Sequence, residues 1–152
     1  VPMKGLLSGL EIDGFLSPDF TKLYIDEDQY MHRPTRSRFT MAHECGHMVM
    51  HQDFLKEHKI TSIEGWKKIV LGESSGRAPL ETQANIFAGF VLMPTRPLEE
   101  ELTAIKEELT RSGQFAGKTL PDNKTLAPYI ARRVAKVFNV SEQAAENRIA
   151  RL

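Results

Sequence analysis

Residues 38–51 read RFTMAHECGHMVMH, and the folding of this stretch decides how the rest of the chain is read. It holds three of the chain's 5 histidines, His43, His47 and His51, four residues apart, with Glu44 directly after the first. Met41, Cys45 and Met48, extended by Val49 and Phe54, recur at helical spacing, which predicts a helix from about residue 38 to about residue 55. Residues four apart on a helix lie ~6 Å from one another along one face. Two imidazoles at that separation can tilt toward a single ion, so HECGH forms an HExxH pincer of His43 and His47. Glu44 stands next to the first ligand around the helix and can reach a water at the ion without binding the ion itself. On one continuous helix, however, His51 lies ~12 Å from His43. Zinc takes ligands at ~2.0–2.1 Å, so a third ligand has to come from elsewhere in the chain.

A second segment offers one. Residues 80–94, LETQANIFAGFVLMP, contain a single carboxylate, Glu81, and no histidine or cysteine. Pro79 suits a first helical turn and Pro94 stops a helix, so a helix is expected from about Pro79 to Leu92. Asn85 lies one turn beyond Glu81 on the same face, where its amide can orient a ligand.

The totals bound the class. A chain of 152 residues that is 41% hydrophobic and 26% charged can build one compact core. Lys+Arg and Asp+Glu are 20 each, so no overall charge draws the chain to nucleic acid or to acidic membranes. The lone cysteine, Cys45, cannot form an internal disulfide. No apolar run approaches a membrane span, and Glu11 and Asp13 come too early for a secretory signal, so a cytoplasmic location is expected.

Outward from the two motifs, residues 10–16 (LEIDGFL) and 22–26 (KLYID) partly alternate and predict a hairpin around the turn SPDF. EDQYMHRPTRS reads as a loop, since Pro34 disfavours helix before it. Residues 59–79, with the lone Trp66, read as loop with a short element. Leu98, Leu102, Ile105 and Leu109 mark an amphipathic helix. The tail from Tyr129 reads as two helices, the first closed by Asn139 and the second capped by Ser141.

Taken together, the two motifs resemble the ImmA/IrrE family of bacterial metallopeptidases. Its members show an RFTxAHExGHxxxH segment followed by a glutamate helix of the form E-x-x-A-N-x-F-A that ends in L-M-P. The likeness runs upstream to KLYID and downstream to VAKVFNVSEQAAENRIARL, over roughly residues 20–152. It implies an α+β fold, a mainly helical zincin-like domain with a small antiparallel sheet beside the HExxH helix. The whole of 1–152 would form one metallopeptidase domain, with 113–152 a helical hairpin similar to a helix-turn-helix. By position His43, His47 and Glu81 match the family's metal ligands and Glu44 its general base. Gln83 departs from the pattern, because many members carry a second glutamate there. The resemblance further implies a protein substrate, a helix-turn-helix repressor of the XRE type, cleaved in a stress response or in mobile-element transfer.

The expected activity is therefore endopeptidase chemistry with Zn2+, although two histidines and a glutamate also suit Mn2+ or another divalent metal. Tyr24, Tyr30 and His51 are minor candidates for the oxyanion donor. Cys45 lies on the opposite side of the helix from His43 and reads as core, and Gly46 reads as a point of close packing near the site. Two other readings stay open: a non-catalytic metal-containing module that binds a protein partner, and a DNA-binding regulator. The latter would use the tail, whose Arg132, Arg133, Lys136, Arg148 and Arg151 outweigh Glu142 and Glu146.

Overall fold

The computed structural model describes residues 13–17, 19–57, 77–111 and 115–152. These fall into two compact units, Val1–Ala88 and Gly89–Leu152. Trp66, His58 and the expected start of the first strand at residues 10–12 lie outside the described residues.

In the first unit, β1 (Gly14–Leu16) pairs antiparallel with β2 (Leu23–Ile25), in the register Gly14↔Ile25, Phe15↔Tyr24, Leu16↔Leu23. The central cross-strand pair is aromatic, and the Phe15 and Tyr24 rings stack with centroids 4.8 Å apart. At the turn, Ser17 N–H donates to the Lys22 carbonyl at 2.8 Å and Ser17 Oγ accepts from Lys22 N–H at 2.9 Å. Hydrogen bonds from the Ser17 hydroxyl and from Thr21 hold the Asp19 carboxyl down at about 2. The hairpin lies against the HExxH helix, and Gly14 is the point of contact. A Cβ at position 14 would stand 2.7 Å from Thr40 Cγ2, so only glycine lets the strand approach this closely.

The segment 27–37 is not a loop. Asp26 caps a short helix, α1 (Glu27–His32), by accepting from Gln29 N–H at 3.0 Å, and α2 (Pro34–Met50) begins two residues after α1 ends. The restriction that proline places on its predecessor falls on Arg33 alone, which leaves the helical region at φ −132°, ψ 63°. Pro34 then occupies the first turn of α2, where its missing N–H costs nothing.

A second correction concerns where that helix stops. It ends at Met50, not near Leu55; His51 caps it at φ −122°, ψ 13°, and α3 (Gln52–Glu57) follows. The side chain of His51 therefore does not continue the helical stripe outward but folds back on the preceding turn. Beyond the undescribed segment, α4 (Arg77–Leu92) has Pro79 in its first turn and ends before Pro94, as its flanking prolines require.

The second unit contains α5 (Thr95–Arg111), α6 (Asn123–Phe138) and α7 (Glu142–Ile149). Leu98, Leu102 and Ile105 of α5 are buried, as their spacing predicts, together with Leu126, Ile130 and Val134 of α6 and Ile149 of α7. Burying each Leu, Ile or Val contributes roughly 1.5–3 kcal/mol, so this apolar seam and not surface charge holds the helices together. Asp122 Oδ1 caps α6 from the Thr125 N–H at 2.8 Å, which also keeps its carboxyl below the ordinary range. Asn139 closes α6 in the left-handed region (φ 52°), and Ser141 Oγ caps α7 by accepting from Ala144 N–H at 3.1 Å. Arg148 is buried at 3% exposure. It donates from Nε to the Met93 carbonyl at 3.3 Å and from Nη2 to Thr95 Oγ1 at 2.9 Å, and it lies 3.9 Å from the centre of the Phe90 ring. Among the described residues, no helix is long and apolar enough to cross a membrane.

Candidate metal centre

Helix α2 sets His43 and His47 one turn apart, and their rings meet edge to face with centroids 4.7 Å apart and Nε2 atoms 3.0 Å apart. Helix α4 brings in Glu81. Its carboxylate straddles the pair, Oε2 lying 3.2 Å from His43 Nε2 and Oε1 3.4 Å from His47 Nε2. This approach depends on a bare glycine. Gly46 is buried between the two histidines, and a Cβ on it would stand 3.2 Å from both the Ala84 Cα and the Phe87 Cδ1 of α4. Glu81 sits one turn before Ala84 and so arrives at the imidazoles. The sequence reading of Gly46 as a packing contact agrees with this geometry.

The fit to a divalent metal can be tested on these distances. Donors ~2.0–2.1 Å from a tetrahedral ion lie ~3.3 Å from one another. The two Nε2 atoms are 3.0 Å apart, and each has its own Glu81 oxygen at a similar separation, Oε2 3.2 Å from His43 and Oε1 3.4 Å from His47. One ligand atom from each of His43, His47 and Glu81 lies within 4.8 Å of the others. The side chains of His43 and His47 are 15% and 11% exposed and that of Glu81 35%, so the donors are screened yet open to exchange. These residues fit a divalent metal.

The electrostatics agree. Burial alone would push the His43 imidazolium down. The hydrogen bond with Glu81, the charges of Glu44 and Glu81, and the bond with Asn85 outweigh that effect and raise His43 above its ordinary value. The site is thus built to hold positive charge, and the Glu44 carboxylate is near enough for its charge to act on His43.

The ring nitrogens that face away from the cluster are also engaged. Asn85 Oδ1 is 2.9 Å from His43 Nδ1, the reach its position one turn beyond Glu81 predicts. His51 Nδ1 lies 3.0 Å from His47 Nδ1, and His51 Nε2 lies 2.8 Å from Gln83 Oε1. The roles of His51 and Gln83 behind the cluster are not legible in the sequence. The four-residue spacing of His51 signals proximity to His47, but only the break at Met50 turns its ring inward.

The remaining candidates fall outside the cluster. Tyr24 is stacked on Phe15, and Tyr30 is 61% exposed on α1. Cys45 is a free, half-buried thiol. Arg36 pairs with Asp13, its Nε 2.8 Å from Oδ2. In the tail, Arg132 lies 3.7 Å from Glu142, Arg133 2.8 Å from Glu108, and Arg148 is buried. Three of the five cations that suggested DNA contact are therefore already engaged within the unit.

No curated protein and no solved structure matches the chain significantly. A family model does: the peptidase M78 model, described as the IrrE N-terminal-like domain, matches residues 19–150. That span takes in the hairpin's second strand, the two helices that carry His43, His47 and Glu81, and the α6–α7 pair, so nearly every element described above lies inside the match. The chain belongs to the peptidase M78 family of IrrE N-terminal-like domains, a family of hydrolases that act on protein.

Proposed function

We propose that the chain is a metal-dependent endopeptidase that hydrolyses one peptide bond in a regulatory protein, a helix-turn-helix repressor of the XRE type, in the cytoplasm. The observation that carries this reading is the convergence of His43 Nε2, His47 Nε2 and the Glu81 carboxylate, with separations of 3.0–3.4 Å. His43, His47 and Glu81 would hold the cation, with Zn2+ the first choice and Mn2+ suited to the same donors. When bound, the ion supplies a Lewis acid that polarises a carbonyl and acidifies water.

The protein's own contribution is placement and proton transfer. Glu44, beside His43 on α2, takes a proton from the attacking water on a carboxylate oxygen. The water oxygen bonds to the carbonyl carbon as that proton leaves, and Glu44 then returns the proton to the amide nitrogen as the C–N bond breaks. Glu44 is also the feature that favours hydrolysis over a purely structural metal module, since holding a cation with His43, His47 and Glu81 does not require it. Asn85 fixes the ring of His43, so that its Nε2 stays directed at the cluster. The repressor as substrate is supported by the family resemblance in the two motifs.

The test pairs metal analysis of the purified chain with incubation against a repressor encoded beside it, with and without chelator. One equivalent of divalent metal and chelator-sensitive cleavage are expected. A chain that takes up neither Zn2+ nor Mn2+ when supplied with them would refute the reading.

A further inference from the structure

The hydrogen bonds behind the histidine pair determine which ring nitrogen carries a proton. Gln83 Oε1 can only accept, so at 2.8 Å His51 Nε2 donates to it. A neutral His51 then presents a bare Nδ1, 3.0 Å from His47 Nδ1. A hydrogen bond across that gap needs a proton, and only His47 can provide it. His47 Nε2 is thereby left with its lone pair, 3.0 Å from His43 Nε2 and 3.4 Å from Glu81 Oε1. On the other histidine, His43 Nδ1 donates to Asn85 Oδ1 at 2.9 Å.

We propose that His51 and Gln83 form a relay that sets the tautomer and orientation of His47, holding its Nε2 lone pair toward the metal centre. The relay crosses from α2 through its C-cap to α4. It rests on the reading that His43, His47 and Glu81 hold a divalent cation. Two facts exclude His51 as a ligand itself: it meets His47 on the ring nitrogen turned away from Glu81, and both of its own nitrogens are engaged within the fold. His51 is only 4% exposed, so its two polar atoms must find partners inside the protein, and His47 and Gln83 are those partners. An oxyanion role is excluded on the same ground, because the Nε2–H that would stabilise the charge is donated to Gln83. His51 is a positioning residue, acting through His47.

Two measurements on the full chain test this. Ring nitrogen chemical shifts of the metal-free protein at about pH 8.5, above the ordinary imidazole range, separate the two neutral tautomers. His47 should be in the Nδ1–H form and His51 in the Nε2–H form, and Gln83→Leu should convert His47 to a mixture. Affinity for Co2+ and Zn2+, measured by competition with a chromophoric chelator, should fall about 10- to 100-fold in Gln83→Leu and His51→Phe. Gln83→Glu, which keeps an acceptor oxygen, should stay within about threefold of the parent. Gln83 is exposed, so its substitution does not threaten the fold. His47 in the Nε2–H form in the parent chain, or unchanged affinity and tautomers in both Gln83→Leu and His51→Phe, would overturn the relay. Should the parent chain bind no Co2+, the metal reading fails by itself, and the ring shifts of the parent and Gln83→Leu still decide the relay.

Discussion

Substituting Gly46 with alanine isolates the contact on which the metal centre depends. An added Cβ would stand 3.2 Å from Ala84 Cα and Phe87 Cδ1 and 3.3 Å from Phe87 Cβ. Carbon atoms settle at about 3.5–4.0 Å, so α4 has to retreat from α2 by about 0.3 Å or more. The phenyl ring of Phe87 can turn aside, but Ala84 Cα is backbone, so the displacement passes to the whole turn that carries Glu81. Metal sites tolerate ligand distances within about 0.2 Å of ideal, so the shift exceeds what the site absorbs. Stability responds differently. Replacing a helical glycine by alanine gains up to about 1 kcal/mol of helix propensity, while overpacking costs about 1–3 kcal/mol, and the two partly cancel. Gly46→Ala should therefore unfold within about 2 kcal/mol of the parent in urea titrations, yet lose at least about tenfold in Zn2+ affinity by chelator competition. Parental affinity in a folded Gly46→Ala protein would refute the claim that this close approach delivers Glu81.

Four further outcomes can be checked independently. Gly89→Ala is the contrasting case: its Cβ would meet only Arg148 Cδ at 3.6 Å, an ordinary contact, so a gain of up to about 1 kcal/mol is expected in the same urea titration. Glu44→Gln should retain Zn2+ in metal analysis while slowing cleavage of a repressor substrate by about 10²- to 10⁴-fold, followed by mass spectrometry of the products. Ser141→Ala removes the acceptor for Ala144 N–H and should cost about 1 kcal/mol in chemical denaturation. The folded-state pKa of Asp122 is lowered by the Thr125 N–H, so its contribution is fully present above the ordinary carboxylate pKa of about 3.9 and is lost as pH falls through the lower folded value. Thermal melts of Asp122→Ala should accordingly converge on the parent's at the acid end and lie below them at neutral pH.

The grouping of His43, His47 and Glu81 was legible in the sequence because it follows from helical spacing and from the scarcity of donors: His43 and His47 are one turn apart, and Glu81 is the only carboxylate on its helix. Unit two was legible for a similar reason, since Leu98, Leu102 and Ile105 mark their face by period alone and Asn139 and Ser141 are the residue types that end and start helices. Three features escaped. Asp26 and Pro34 bracket a helix of 6 residues that is too short to show a period, so 27–37 read as loop. The end of α2 at Met50 depends on His51 leaving the helical region to bury its ring on His47, a tertiary preference that no local propensity encodes. The His51–Gln83 bond needed α4 beside α2, which spacing within either segment does not specify.

The grip of Arg148 on Met93 and Thr95 also governs when the second unit can be completed. The two bonds span 55 and 53 residues of chain, joining α7 to Met93, just past α4, and to Thr95 at the start of α5. During synthesis α5 and α6 emerge before α7 and can coil locally, but the guanidinium that ties Met93 and Thr95 to α7 emerges only after both. Assembly of this half is thus paced by a long-range closure that waits on α7, and a nascent chain stalled before residue 148 would present Phe90 and Met93 without their clasp.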